Sequence, residues 1–89
     1  MNKPHPKYNV GDIVRINYVA DRTKSGDSVT DRNLRRYVNG LFSIVRVSLQ
    51  PNGSFNYKLD TNPLARDRFG RVTGGDWFYE EELELMFSV

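Results

Sequence analysis

Arg15, Arg22, Lys24, Arg32, Arg35, Arg36 and Arg46 are the side chains best suited to a chemical task in this sequence. A guanidinium is a planar fork that gives two parallel hydrogen bonds to phosphate or carboxylate oxygens. Residues 1–49 carry nine Lys/Arg against four Asp, and residues 50–89 carry four against seven Asp/Glu, so the basic groups are segregated along the chain. The net charge of +2 selects no partner, whereas the segregation points to a localised basic surface. Tyr18 and Tyr37 interleave with the cations and offer rings for stacking or hydroxyls for phosphate. Gathered on one face, these groups would grip a nucleic-acid backbone, and four or five phosphate contacts would give a log–log salt slope of about −4. The competing reading is a solvated loop whose Asp21, Asp27 and Asp31 neutralise the arginines locally.

Trp77, Phe78 and Tyr79 form a second cluster. Successive residues of a strand point to opposite faces, so Phe78 is expected inside and Trp77 or Tyr79 outside. With Phe69 these two are candidate protein-interaction residues, because exposed Trp and Tyr are enriched at binding hot spots. Alternatively, Leu64 and Phe69 fold over them as a satellite cluster. Glu80, Glu81, Glu82 and Glu84 diverge in a tight turn and read as a solvated acidic face rather than a cation site. His5 is the only histidine and cysteine is absent, which leaves no triad, disulfide or thiolate metal site. Arg71 with Gly74-Gly75-Asp76 reads as a sharp turn, since no strand-to-helix phosphate loop accompanies it. No catalytic residue, metal ligand or cofactor site is expected, and the protein is expected not to be an enzyme.

These side chains need a scaffold. Eighty-nine residues make one domain, divided here into a flexible arm at 1–7 and a single domain at 8–89. No apolar run approaches the roughly 20 residues of a membrane span, and Met-Asn-Lys-Pro-His-Pro lacks a hydrophobic signal core. A cytoplasmic location and no membrane partner are expected, and no pattern sets an oligomeric state. Val10-Gly11-Asp12 reads as a turn in which Asp12 caps amides beyond it. A strand follows over 13–19 with Val14, Ile16 and Tyr18 on the core face. A short helical turn over 31–38 would dock Leu34 and Val38 and stop at Asn39-Gly40. Leu41–Leu49 is the strongest strand, with a bulge permitted at Val45-Arg46-Val47. Pro51-Asn52-Gly53-Ser54 is a hairpin signal, and Phe55, Tyr57 and Leu59 face inward on the return. Residues 71–79 resume as a strand, with a kink or close backbone approach at Gly74-Gly75. A one-turn 3-10 segment at 80–82 and a strand at 83–87 end the series.

This order of parts resembles a Src-homology-3-like barrel: all-β, five-stranded, with a short helical turn in the first long loop and a 3-10 turn before the last strand. More narrowly it is similar to the barrels that follow the integrase core in retroelements and to their stand-alone phage and mobile-element relatives. The residues that carry the likeness are Val10, Gly11, Asp12, Val14, Arg15 and Ile16, then Phe42, Ile44 and Val47. Tyr57, Lys58 and Leu59 follow, and Phe78, Tyr79, Glu80, Glu82 and Leu83 close the set. The sequence departs from that pattern in its longer 60–70 loop and in Arg32, Arg35 and Arg36 before the second strand. The resemblance implies a noncatalytic module held near DNA, an accessory or regulatory factor of a virus or mobile element, in which case the host cytoplasm is its place. The alternative is a module that docks on a host or viral enzyme, or a virion assembly adaptor.

Overall fold

Five antiparallel strands form at the five places the sequence pattern marks, the first and fourth of them shorter than expected. In the computed structural model, which describes residues 4–20 and 34–89, they are β1 (Ile13–Ile16), β2 (Leu41–Leu49), β3 (Phe55–Leu59), β4 (Asp76–Tyr79) and β5 (Leu83–Phe87). A 3-10 turn at Glu80–Glu82 joins the last two. The strands lie in the order β4-β3-β2-β1-β5. The long β2 pairs with β1 through its first residues and with β3 through its later ones. Its register slips at Val45, so that Ile44 opposes Leu59 while Arg46 opposes Lys58. Such a bulge adds local twist and lets one strand serve both neighbours.

The core gathers Val14 and Ile16 of β1, Ile44 of β2, Tyr57 and Leu59 of β3, Phe78 of β4 and Leu83 of β5. Tyr8 and Leu34 join it from outside the sheet, and Val38 packs against it. Complete burial of Phe78 contributes about 2–3 kcal/mol. Of the expected helical turn, residues 34–38 are described: Tyr37 and Val38 amides donate to the Leu34 and Arg35 carbonyls. Asn39 then stops the segment at φ 72°, the left-handed conformation that asparagine tolerates.

The turns do more than reverse the chain. Asp12 is buried, and its carboxylate accepts from the Asn9 amide at 2.8 Å and the Val89 amide at 3.0 Å. It therefore caps an amide before it and one from the end of the chain, not the amides beyond it. At the hairpin the Gln50 amide donates to the Ser54 carbonyl at 2.8 Å, and Gly53 takes φ 87°.

Four further expectations are corrected. β1 ends at Ile16, two residues before Tyr18, which is 45% exposed instead of lying on the core face. β4 begins at Asp76; residues 71–75 are irregular apart from a bridge between Arg66 and Val72. Leu64 and Phe69 are 90% and 67% exposed and so do not roof the aromatic strand. Glu82 is not part of a solvated acidic face but is fully buried, accepting from the Tyr79 amide at 2.7 Å and from the Ala20 amide.

Tyr57 ties the residues before β1 to the 3-10 turn. Its hydroxyl donates to Glu80 at 2.5 Å and accepts from the Lys7 and Tyr8 amides at 3.0 and 3.3 Å. Burial, then the hydrogen bond to Glu80, pushes its ionisation well above the ordinary phenol value. The folded state thus holds this proton more tightly than the unfolded chain does. The resulting stabilisation is complete below about pH 10 and is lost as pH rises toward the folded-state value. Tyr57→Phe is expected to cost about 1–2 kcal/mol at pH 7 and to flatten the alkaline decline. Urea unfolding from pH 8 to 11 checks this, and an identical decline in both proteins refutes it.

Candidate nucleic-acid interface

Because Tyr57, Leu59 and Phe78 point inward, alternation forces Asn56, Lys58, Trp77 and Tyr79 onto the outer face. The register then sets two rows across three strands. Arg46 of β2 opposes Lys58 of β3, which opposes Trp77 of β4; one step along, Ser48, Asn56 and Tyr79 form the second row. Directly opposed side chains have Cβ atoms about 4.5–5.5 Å apart, and like charges so placed repel. Among the described residues no carboxylate forms an ion pair with Arg46 or Lys58. The pair is a local electrostatic cost that a bound anion would relieve.

Arg46 and Lys58 line a groove of about 510 Å³. Its other walls are the Val10-Gly11 turn, Val45, and Gly70 to Val72 of the long connection. Arg71 enters from that connection, with its Nε donating to Asp67 at 2.8 Å. The Arg71 backbone amide, the largest influence, holds the Asp67 carboxyl below its ordinary range, with the Phe69 amide and the Arg71 side chain assisting against partial desolvation. The Arg68 and Arg71 guanidinium carbons lie 4.9 and 5.1 Å from the Phe69 ring centroid. Arg46, Lys58, Arg68 and Arg71 against Asp67 leave this region net positive.

Of the expected basic set, Arg15, Arg35, Arg36 and Arg46 fall among the described residues, and they sit on different elements. Arg15 lies on β1 and is committed to Glu84 at 3.2 Å and Asn17 at 3.0 Å. Arg36 stacks on the Tyr37 ring at 4.9 Å and donates to its hydroxyl at 2.8 Å. Tyr37 in turn packs edge-on against Phe42 at 5.6 Å, which makes it a structural ring. Arg35 is exposed. Arg22, Lys24 and Arg32, with Asp21, Asp27 and Asp31, lie outside the described residues. Among the described members of the set only Arg46 lines the groove, beside Lys58 and Arg71, which were not among the expected nucleic-acid residues.

Of the candidate interaction aromatics, Trp77 and Tyr79 are 38% and 37% exposed and share one strand face, while Phe69 stands on the long connection. A larger groove, about 980 Å³, runs between residues 4–7 and the hairpin, and its walls mix Lys7 with Glu80 and Glu81. Among the described residues no cluster of His, Cys, Asp or Glu suits a metal ion, and no helix is long and apolar enough to cross a membrane. No protein-family model, curated protein or solved structure matches the chain.

Proposed function

We propose that this chain is a noncatalytic nucleic-acid-binding module, built as a small Src-homology-3-like barrel and serving as an accessory or regulatory factor of a virus or mobile element. The strand order, the long first connection and the 3-10 turn before β5 support the fold part of this reading. Its binding part rests on one observation: Arg46 and Lys58 stand side by side in a groove, without a carboxylate partner among the described residues, and Arg71 joins them from a third segment. Cations so arranged suit consecutive phosphates, because phosphate contact releases condensed counterions and supplies sequence-independent affinity.

Fluorescence anisotropy with short duplex and single-stranded oligonucleotides from 50 to 200 mM salt tests the reading. About three phosphate contacts give a log–log slope near −3 on duplex. The pair Arg46→Ala and Lys58→Ala together should weaken binding by at least about tenfold and flatten the slope by about 2. A flat slope in the unaltered protein overturns the proposal. The second reading, a module docking on a host or viral protein or serving as a virion assembly adaptor, is favoured by the exposed rings of Trp77, Tyr79 and Phe69. It requires a defined partner whose binding survives both nuclease and the double substitution.

A further inference from the structure

The proposed nucleic-acid face is more than a basic patch, because β3 brings a cation row and an aromatic strand together. Trp77 completes the row that begins with Arg46 and Lys58. Its ring makes no aromatic or cation contact among the described residues. Tyr79 stands two residues on, on the same face. Ser48 and Asn56 fill the second row, so none of the six outward residues carries a carboxylate. Asp76, the nearest acid in sequence, falls on the opposite side of β4 and accepts a hydrogen bond from the buried Thr61. Glu80 and Glu81 share a neighbouring groove with Asn56 and Tyr79, so the carboxylates lie toward the second row and the cationic row is left with Trp77.

We propose that the Arg46–Lys58–Trp77 row is a stacking platform for a single-stranded stretch of nucleic acid, with a base on the Trp77 indole and its phosphates on Arg46 and Lys58. The inference deepens the reading above and rests on it. Duplex DNA hides its base faces in the stack and offers only edges and phosphates, whereas a single strand can lay each base flat on an aromatic ring. Side chains two apart on a strand are separated by about 6.8 Å, twice the roughly 3.4 Å rise per nucleotide of a stacked strand. Bases resting on Trp77 and its neighbour must therefore be unstacked, which a flexible single strand permits and a duplex resists.

Trp77 is the only tryptophan in the chain, so intrinsic fluorescence reports this position alone. The intact protein is titrated with (dT)15, (rU)15 and a 15-base-pair duplex at 50 mM salt, following both indole emission and anisotropy of the labelled oligonucleotide. Binding of either single strand should quench the indole, and the strand that does so identifies the sugar; the duplex should bind with little quenching. Trp77→Ala should weaken single-strand binding by about tenfold or more while leaving duplex binding within about twofold, and Trp77→Phe should restore most of the loss. Should Trp77→Ala fail to fold, Trp77→Phe and the quenching of the unaltered protein carry the decision. Single strands that bind without quenching, or equal quenching by duplex, overturn the platform but leave the nucleic-acid reading in place, provided Arg46→Ala with Lys58→Ala still weakens binding by at least about tenfold. Absence of binding to all three probes overturns both.

Discussion

Glu82→Ala lowers the free energy of unfolding by about 3–5 kcal/mol, and Glu82→Gln by about 1–2 kcal/mol. The carboxylate is fully buried, and each oxygen has its own backbone donor: Tyr79 at the start of the 3-10 turn, and Ala20 in the connection that follows β1. Truncation to Ala removes the acceptor of both part-buried bonds, and each lost hydrogen bond to a charged acceptor costs about 1.5–3 kcal/mol. A cavity in the place of the side chain adds to that. Gln preserves one carbonyl acceptor but turns an amide donor toward the second N–H. For a domain of this size about 4 kcal/mol corresponds to a fall in Tm of about 15–30 °C, a large part of the 5–15 kcal/mol that usually holds a domain together. Thermal melts of the three proteins decide the matter. An Ala variant within 1 kcal/mol of the parent, or a Gln variant worse than Ala, contradicts the role given to this carboxylate.

Glu82 also marks where reading the sequence reaches its limit. Period-2 alternation locates β2 and β3 to the residue, since only one register keeps Ile44, Tyr57 and Leu59 inside, whereas β5 is anchored by Leu83 and its other four residues are exposed. The Asn52-Gly53 pair located the hairpin because few other residues accept the positive φ of Gly53. Composition could not separate Glu82 from Glu80 and Glu81. Three consecutive identical residues carry no local signal of which one the turn drives inward. Tyr18 failed differently: alternation was extended past Ile16, but the Asn17 amide is taken by the Glu82 carbonyl, and the chain leaves the sheet there.

The site was legible only in pieces. Charge segregation along the chain points to residues 15–46, yet the groove draws Arg46 from the basic half and Lys58 and Arg71 from the acidic half. Linear charge segregation says little about a sheet, where neighbours in space come from both ends of a hairpin. The missing signal was register. Counting back from the Asn52-Gly53 turn, with the Val45 bulge allowed for, sets Lys58 opposite Arg46. Sequence alone permits that bulge without fixing its position. Trp77, assigned to a separate protein-binding role, joins the same row only once β4 is paired with β3.

Gly75→Ala damages both the fold and the groove, and lowers stability by about 3–4 kcal/mol. Gly75 has φ 131°, a conformation that side-chain-bearing residues rarely adopt, and holding alanine there costs about 1–2 kcal/mol or more. An added Cβ would also lie 2.3 Å from the Leu59 carbonyl oxygen. That atom is backbone at the end of β3, so relief requires moving the β3–β4 pair, a shift of the kind that costs a further 1–3 kcal/mol or so. The same Cβ would approach the Lys58 stem at 3.5 Å, in ordinary contact. Lys58 therefore moves with its strand and not through a direct clash. The close backbone approach expected from Gly74-Gly75 thus has its cause in the pairing of Leu59 with Asp76. Gly74→Ala makes the comparison, because Gly74 lacks the positive φ of Gly75 and its Cβ would meet the Ala65 methyl, at 2.6 Å, on the irregular connection and not on the β3–β4 pair. Its cost should be the smaller by at least 1 kcal/mol or so. Urea unfolding at 25 °C measures both, and anisotropy at 50 mM salt measures whether the folded fraction of Gly75→Ala retains its grip on oligonucleotides. Equal costs at the two glycines would mean that the approach to Leu59 constrains nothing. Full binding by a destabilised Gly75→Ala would show that the groove does not depend on the β3–β4 register.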